Sequence, residues 1–257
     1  EAGRTFHTHR GGVAHDDLIG QPEGIVVEST GGTQYVALVS RLEDFVLAMP
    51  RGAAVIYPKD AVRIVGAAGL GPGSRVLEAG AGSGALTCFL LTAVGATGLV
   101  ESWERRADFA EVAQANVCRW FGTKPSNWEL SVGDLSEREA HAGQRDAVVL
   151  DMLDPWSYLE EAARALRPGG SLVVYVATTT QLSRTAEELR VKGCWTEPRA
   201  EESLVRTWHL EGLAVRPDHR MIGHTGFLLM TRRLAPGTVL PPRRTRPAKG
   251  AYPTDDT

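Results

Sequence analysis

Four carboxylates, Glu78, Glu101, Asp134 and Asp151, stand where apolar, β-rich runs of the chain give way to loops. The runs are Arg75–Leu77, Gly98–Ser102, Trp128–Val132 and Ala147–Leu150, and helical segments alternate with strands along this part of the chain. In an open parallel sheet ligands bind outside the carboxyl ends of the strands. Four acids at successive strand ends should therefore ring one crevice. Around the first acid lies VLEAGAGSGALT, Val76 to Thr87, with Gly80, Gly82 and Gly84 at alternate positions. Glycines so spaced turn the backbone sharply and let a ligand lie against bare amides at a helix N-terminus.

The third glycine comes one residue too early for the dinucleotide fingerprint G-x-G-x-x-G, and a carboxylate precedes the first. The pattern E-x-G-x-G-x-G resembles motif I of the class I S-adenosylmethionine-dependent methyltransferases. That resemblance implies an α/β fold with a doubly wound, mostly parallel seven-stranded sheet, and S-adenosyl-L-methionine as cofactor. On this ligand Glu78 is expected near the methionine portion, or else orders the loop. Glu101 is expected on the ribose hydroxyls, Asp134 on the adenine amine and the Leu135 amide on a ring nitrogen. The amides from Ser83 to Leu86 would meet the carboxylate end. A glycine-rich turn with no ligand is the plain alternative for the loop alone.

The 257 residues suffice for one large α/β domain with a small appendage. With 43% hydrophobic and 23% charged residues the composition is that of a globular chain, not a disordered one. There is no run of transmembrane length and no signal-peptide pattern, so the expectation is a cytoplasmic protein without a membrane partner. The chain opens at Glu1 and not at methionine, which leaves room for a preceding piece. Cys88, Cys118 and Cys194 are an odd, scattered set, which argues against a disulfide framework and a zinc site. His7, His9 and His15 read as surface or turn residues, and no metal is expected. The formal net charge of −3 hides an asymmetry: Arg216 to Lys249 holds eight basic residues against the single acid Asp218.

Residues 1–50 read as a small β domain, 51–235 as the main domain and 236–257 as a flexible Pro/Arg-rich tail. In the first, Ile25–Thr30 and Gln34–Ser40 flank Gly31-Gly32 as a hairpin, and Phe45–Met49 offers a third strand. In the second, Tyr57 before Pro58 is biased to extended backbone, and Lys59 and Asp60 open a helix from Ala61 to about Gly69. A ring on so stiff a segment can stack on a base, or can simply pack between domains. Further elements are a helix Arg105–Trp120, a helix Tyr158–Leu166, a turn Arg167–Gly170, a strand Ser171–Val176 and a helix Gln181–Lys192. Strands Glu202–His209 and Gly226–Thr231, joined by a long loop, complete the domain.

Asp151 opens LDMLDPW, Leu150 to Trp156, just past the central strand, where Pro155-Trp156 supplies rigidity and an aromatic plane. The segment resembles, without matching, the D-P-P-Y signature of enzymes that methylate nitrogen on adenine. Such a transfer needs little acid or base help, because the ring nitrogen already carries its lone pair. What needs stabilising is the positive charge growing on the base, which a carboxylate accepting from the exocyclic amine provides. Asp154 competes with Asp151 for this role.

HTHRGGVAHDDLIG, YPKDA, VLEAGAGSGALT, LDMLDPW, VYVATTTQL and GHTGF occur in the order found in the tRNA (adenine-N1)-methyltransferases that modify adenosine 58 of the T-loop. By that resemblance the chain is identified as a member of this family, of the single-polypeptide bacterial or archaeal, actinobacterial-like kind. The resemblance implies Asp151 as catalytic aspartate and Tyr57 as the aromatic holding the target base. It implies Glu101, Asp134 and Leu135 as cofactor contacts, alongside the loop residues Glu78, Gly80, Gly82, Ser83, Gly84 and Leu86. Lys59, Pro155, Trp156 and His224 join Tyr57 on the substrate side. Arg10, Lys59 and the basic residues near Arg216 to Arg233 would position tRNA phosphates. A homotetramer with no obligatory second subunit is implied. Two other readings are a protein methyltransferase of the isoaspartyl type, against which LDMLDPW speaks, and a noncatalytic RNA-binding subunit, against which the complete set of glycines and acids speaks.

Overall fold

The computed structural model describes residues 1–138 and 144–241. The chain divides into two compact units, Glu1–Ala48 and Met49–Thr257. In the first, β1 (Thr5–Thr8) pairs antiparallel with β2 (Gly11–Ala14), and β3 (Val26–Glu28) with β4 (Gln34–Val36). The expected hairpin is present, closed by Ser29 N to Thr33 O at 2.9 Å. The expected third strand is instead the helix α1 (Leu42–Ala48). Its first turn holds Glu43 and Asp44, and the Asp44 carboxylate accepts from the Arg41 amide at 3.1 Å. Acids at a helix N-terminus satisfy free amides and complement the dipole, which outweighs the β tendency of Phe45 and Val46.

The second unit opens with α2 (Pro58–Ala68), where Tyr57 is the extended N-cap and Pro58 takes the first position that tolerates a missing N–H. There follow β5 (Arg75–Ala79), α3 (Ala85–Val94), β6 (Leu99–Glu104), α4 (Ala107–Phe121), β7 (Trp128–Val132), β8 (Arg145–Asp151), α5 (Leu159–Ala165) and β9 (Leu166–Val176). The chain ends with α6 (Thr179–Lys192), β10 (Arg199–Glu201), β11 (Trp208–Glu211), β12 (Ala214–Pro217) and β13 (Phe227–Arg232). The seven-stranded sheet has the order β10-β13-β9-β8-β5-β6-β7. Strands β9, β8, β5, β6 and β7 run parallel, and β13 and β10 are antiparallel additions. This is the expected doubly wound class I architecture. Its strand order reverses between β5 and β8, the point at which such sheets hold ligands.

Three details depart from the sequence expectation. Arg167–Gly170 is not a turn before the strand but a bulge within β9, where the register jumps between Arg145↔Leu166 and Ala147↔Ser171. Gly169 and Gly170 exchange backbone bonds with Arg233 there, which keeps the segment in the sheet. The strand expected over Glu202–His209 is not formed as such: β10 ends at Glu201 and β11 begins at Trp208, pairing with β12 as a separate hairpin that extends into the expected loop. Most consequential, β6 runs two residues further than expected, so that Glu104 closes it and Glu101 lies within it. The core lies between sheet and helices. Leu77, Val148, Leu150, Leu172, Val174 and Leu229 are fully or almost fully buried in it, each worth about 1.5–3 kcal/mol relative to exposure.

Candidate active site

The glycine loop is held by backbone geometry. Gly80 and Ala81 donate to the Trp103 carbonyl at 2.9 and 3.1 Å, bending the chain over the end of β6. A Cβ on Gly80 would overlap the carbonyl oxygen of Asp151. On Gly84 it would meet the Ala113 carbonyl at 3.0 Å, so α3 and α4 approach only because that side chain is missing. Both glycines also hold positive φ, +88° and +79°. Ser83 is buried and structural: its hydroxyl accepts from the amides of Gly52 and Ala53 at 3.1 and 3.3 Å. The buried Asn116 side chain binds the carbonyls of Pro50 and Ser83 at 2.8 and 2.9 Å, clamping the 50–53 segment to the loop.

Strand register decides which acids meet. Glu78 lies level with Ser102 on β6 and Val149 on β8. Side chains two residues apart share a face, so Glu104, Gly80 and Asp151 form the next row above it. Gly80 contributes no side chain, which leaves a gap between Glu104 and Asp151 two strand spacings wide, about 10 Å. Glu101 lies level with Leu77 and hence on the opposite face.

A cavity of about 540 Å³ opens at this edge, lined by Tyr57, Gly80, Gly82, Glu104, Asp134, Leu135 and Asp151 among others. Its volume suits a small-molecule ligand. Glu104 accepts from the amides of Gly82 at 2.8 Å and Arg106 at 3.0 Å, tying the glycine loop to β6. Asp134 accepts from the Ser136 hydroxyl and amide at 2.6 and 3.0 Å and from the Tyr158 hydroxyl at 2.7 Å. The Ser136 bond and then the Tyr158 bond hold its carboxyl below the ordinary value. Asp151, half-buried in the wall, is pushed up to about 7, first by burial and then by the charges of Glu78 and Glu104. Glu78 is fully buried and also pushed up to about 7, chiefly by burial, although Ser102 and Thr87 donate to its Oε2 at 2.5 and 2.7 Å. Its Oε1 has no partner among the described residues.

Several expected residues stand elsewhere. Glu101 is not in the cavity lining. Its carboxylate accepts from Arg138 at 2.6 Å, from Trp103 at 3.0 Å and from Arg145. Burial works against its ionisation, but these three donors outweigh it and hold the carboxyl down to about 2. Ser83, Gly84 and Leu86 turn into the structure, not into the cavity. Lys59 is committed to Asp60 at 2.8 Å, the Ser203 carbonyl at 2.7 Å and the Thr225 hydroxyl at 2.7 Å, which leaves its ammonium no donor for a phosphate. His224 is exposed and bridges Glu202 at 2.6 Å and the Ala177 carbonyl at 2.8 Å. Glu202, then the Ala177 carbonyl, raise its pKa. Pro155 is buried, and Trp156 lies under the Arg184 guanidinium at 4.1 Å; neither lines the cavity, whereas Asp154 does. Of the basic stretch, Arg232 and Arg233 bind backbone carbonyls, while Arg216 and Arg220 are exposed. Arg243, Arg244, Arg246 and Lys249 lie outside the described residues.

Glu104, Tyr158, Tyr175 and Thr225 line the cavity without having been singled out in the sequence. Glu104 had a signal: Trp103 favours a strand, so β6 should be read through it to the next acid. Tyr175 and Thr225 lie inside the motifs VYVATTTQL and GHTGF, which mark the segments without marking these side chains, and Tyr158 carried no signal. Tyr175 and Thr225 are joined by a 2.8 Å bond from the phenol to the Thr225 carbonyl.

The family described as the tRNA methyltransferase complex GCD14 subunit matches residues 34–213, and a TrmI-like N-terminal family matches residues 1–27. The chain is 38% identical over 231 residues to the tRNA (adenine(58)-N(1))-methyltransferase TrmI of Thermus thermophilus, covering 90% of this chain and 89% of that one. It is 32% identical over 234 residues to the tRNA (adenine(57)-N(1)/adenine(58)-N(1))-methyltransferase of Methanocaldococcus jannaschii, covering 82% of each. Among solved structures, the tRNA (m1A58) methyltransferase TrmI from Aquifex aeolicus superposes with a TM-score of 0.80 at 28% identity, covering 91% of both chains. A SAM-dependent O-methyltransferase from Thermotoga maritima gives 0.86 at 29% identity, covering 96% of this chain and 88% of that one. The crevice at the β5–β8 switch point, its glycine loop and these likenesses agree, and the chain belongs to the TrmI-type tRNA (adenine-58-N1)-methyltransferase family.

Proposed function

We propose that this chain transfers the methyl group of S-adenosyl-L-methionine to N1 of adenosine 58 in tRNA, with Asp151 as the catalytic carboxylate and Tyr57 as the aromatic that holds the base. The observation that carries the assignment of roles is the row Glu104–Gly80–Asp151, a gap with an acid on either side, opening into the cavity that Tyr57 also lines. The donor set fits the cofactor. Glu104, with Gly82 and Arg106 amides fixing its orientation, is the acceptor for the ribose hydroxyls, in place of Glu101. Asp134, oriented by Ser136 and Tyr158, accepts from the adenine amine beside Leu135. When bound, the cofactor supplies a methyl group activated by a positively charged sulfur.

The target adenosine must leave its stack, at a cost of a few kcal/mol (roughly) that stacking on Tyr57 offsets. Asp151 accepts from the exocyclic amine and so stabilises the charge that grows on the ring as N1 is alkylated. A fixed group of this kind in a site closed to water contributes about 10²–10³-fold in rate. No proton has to leave N1. Phosphates are met by the exposed Arg216 and Arg220. The chain works in the cytoplasm as a homotetramer without a second kind of subunit. Supporting assembly, the β11–β12 hairpin gathers Trp208, Leu210, Val215 and Pro217 on one face, and all but Pro217 are strongly exposed. No described helix is long and apolar enough to cross a membrane.

The test is to incubate unmodified tRNA with the chain and cofactor, digest it with nuclease and locate new methyl groups by mass spectrometry. 1-Methyladenosine at position 58 is expected. Methylation confined to another base, or none with cofactor demonstrably bound, would overturn the proposal.

A further inference from the structure

Three carboxylates converge where β5, β6 and β8 end, and no ion pair involves any of them among the described residues. Glu78 sits one row below Glu104 and Asp151 on the same face of the sheet, and its Oε1 is sealed from solvent without a hydrogen-bond partner among the described residues. Among the described residues Glu78 and Asp151 have no cation in an ion pair or among the named charges acting on them, whereas Glu104 feels the guanidinium of Arg106. Ser102 and Thr87 give Glu78 neutral hydroxyls, and the nearby Cys88 thiol is itself pushed up to about 12, by burial and then by Glu78. Tyr175, on the β9 side of Asp151, stays protonated because burial raises it. Arg105 and Arg106 line the same cavity, but Arg106 is paired with Asp108 at 2.6 Å, and the charge of Arg105 acts on Asp134 and Tyr158.

Like charges crowded in a site of low polarity do not all ionise; a proton is retained until a cation arrives to compensate. The sulfonium of the methyl donor is such a cation, and the spent thioether, otherwise the same molecule, is neutral at sulfur. We propose that binding of the sulfonium form expels a proton from the buried Glu78 and from Asp151, which stand on the adjacent strands β5 and β8, to solvent, while binding of the thioether leaves that proton in place. The pair thereby separates donor from by-product by charge alone. A carboxylic O–H dissociates, the proton passes to buffer, and the carboxylate faces the sulfonium, so net charge in the site is conserved. Once the methyl group and its positive charge leave with the base, the pair takes the proton back and its hold on the thioether is no stronger than on a neutral ligand. Burial to about 7 for both Asp151 and Glu78 places the exchange near neutrality. This inference rests on the crevice being the cofactor site.

The test is calorimetric titration of the full chain with S-adenosyl-L-methionine and, separately, S-adenosyl-L-homocysteine. It is run at about pH 6.5, below the range of the ligands' own α-amine, in two buffers of different ionisation enthalpy. The dependence of observed heat on buffer gives the protons released. About half a proton or more is expected for the sulfonium ligand and about none for the thioether. The ratio of their dissociation constants should move in favour of the sulfonium ligand by up to about tenfold per pH unit between about pH 6 and 7. Glu78→Gln should reduce the protons released, and if that chain does not fold, Asp151→Asn serves the same purpose at the cavity wall. Equal release for the two ligands, or sulfonium binding with no release, overturns the inference and leaves the proposed function standing. Absence of binding by either ligand overturns both.

Discussion

Glu101 and Glu104 stand three residues apart on one strand, yet their surroundings are opposite. Glu101 faces away from the crevice row and is saturated by Arg138, Arg145 and Trp103. Glu104, with Asp151 across the Gly80 gap, has only backbone amides as hydrogen-bond partners among the described residues. The first acid is compensated by two guanidiniums within the fold; the second, among the described residues, is met by backbone amides and by no salt bridge. A carboxylate completed within the fold stabilises it, whereas carboxylates left without a cation cost stability and are poised to bind.

The largest effect that would sharpen this contrast is at Glu101. Glu101→Gln leaves two buried guanidiniums facing a neutral amide and should lower unfolding free energy by about 3–5 kcal/mol in urea titrations, with cofactor affinity per folded molecule unchanged. A variant with normal stability and lost cofactor binding would return Glu101 to the ribose. Next, Asp151→Ala should lower turnover about 10²–10³-fold in single-turnover methylation of tRNA, while cofactor still binds. Full activity there would end the catalytic assignment. Glu104→Gln should weaken cofactor binding by roughly 1.5–3 kcal/mol, the range for hydrogen bonds to a charged group, and lower stability by about 1–3 kcal/mol, because its new NH2 faces one of the two backbone N–H groups the carboxylate accepts.

The two regions should also respond oppositely to pH. Glu101 is held down to about 2 from an ordinary 4.5, so its contribution is complete above about 4.5 and is lost as pH falls through 2. Glu78 and Asp151 are raised to about 7, so theirs is present below their ordinary values of 4.5 and 3.8 and is lost as pH rises through 7. Thermal melts should fall off on both sides, and Asp151→Asn should flatten only the neutral side. Flattening of the acid side instead would reverse the comparison. The smallest effect is at Lys59: because its ammonium is already committed, Lys59→Met should leave the salt dependence of tRNA binding unchanged. A slope reduced by about 1 would mean that it does meet a phosphate.

Much of the cavity edge was legible along the chain. The spacing of Gly80, Gly82 and Gly84 and the acids Asp134 and Asp151 mark the edge where the cavity opens, because loops at strand ends are written in contiguous residues. Glu101 misled because it too lies in a β-rich run before polar residues, and ending that run at Ser102 shifted attention by three positions. A one-residue difference in parity moves a side chain to the other face, so a boundary error becomes an error of role. Lys59 and His224, placed on the substrate side by resemblance, are each engaged by groups elsewhere in the chain, which a motif does not reveal.

The amino-acid order by itself determined the alternation of strands and helices, the glycine turn and the kind of ligand it cradles, since each depends on local spacing and backbone freedom. Tertiary structure alone decided which acids share the crevice, because facing is set by register between strands β5, β6 and β8 that are up to about seventy residues apart. It alone tied the Lys59 ammonium to Ser203 and Thr225, 144 and 166 residues away. Contacts at such separations depend on the closed fold, where burial and register settle whether a charged side chain is already satisfied or left for a ligand.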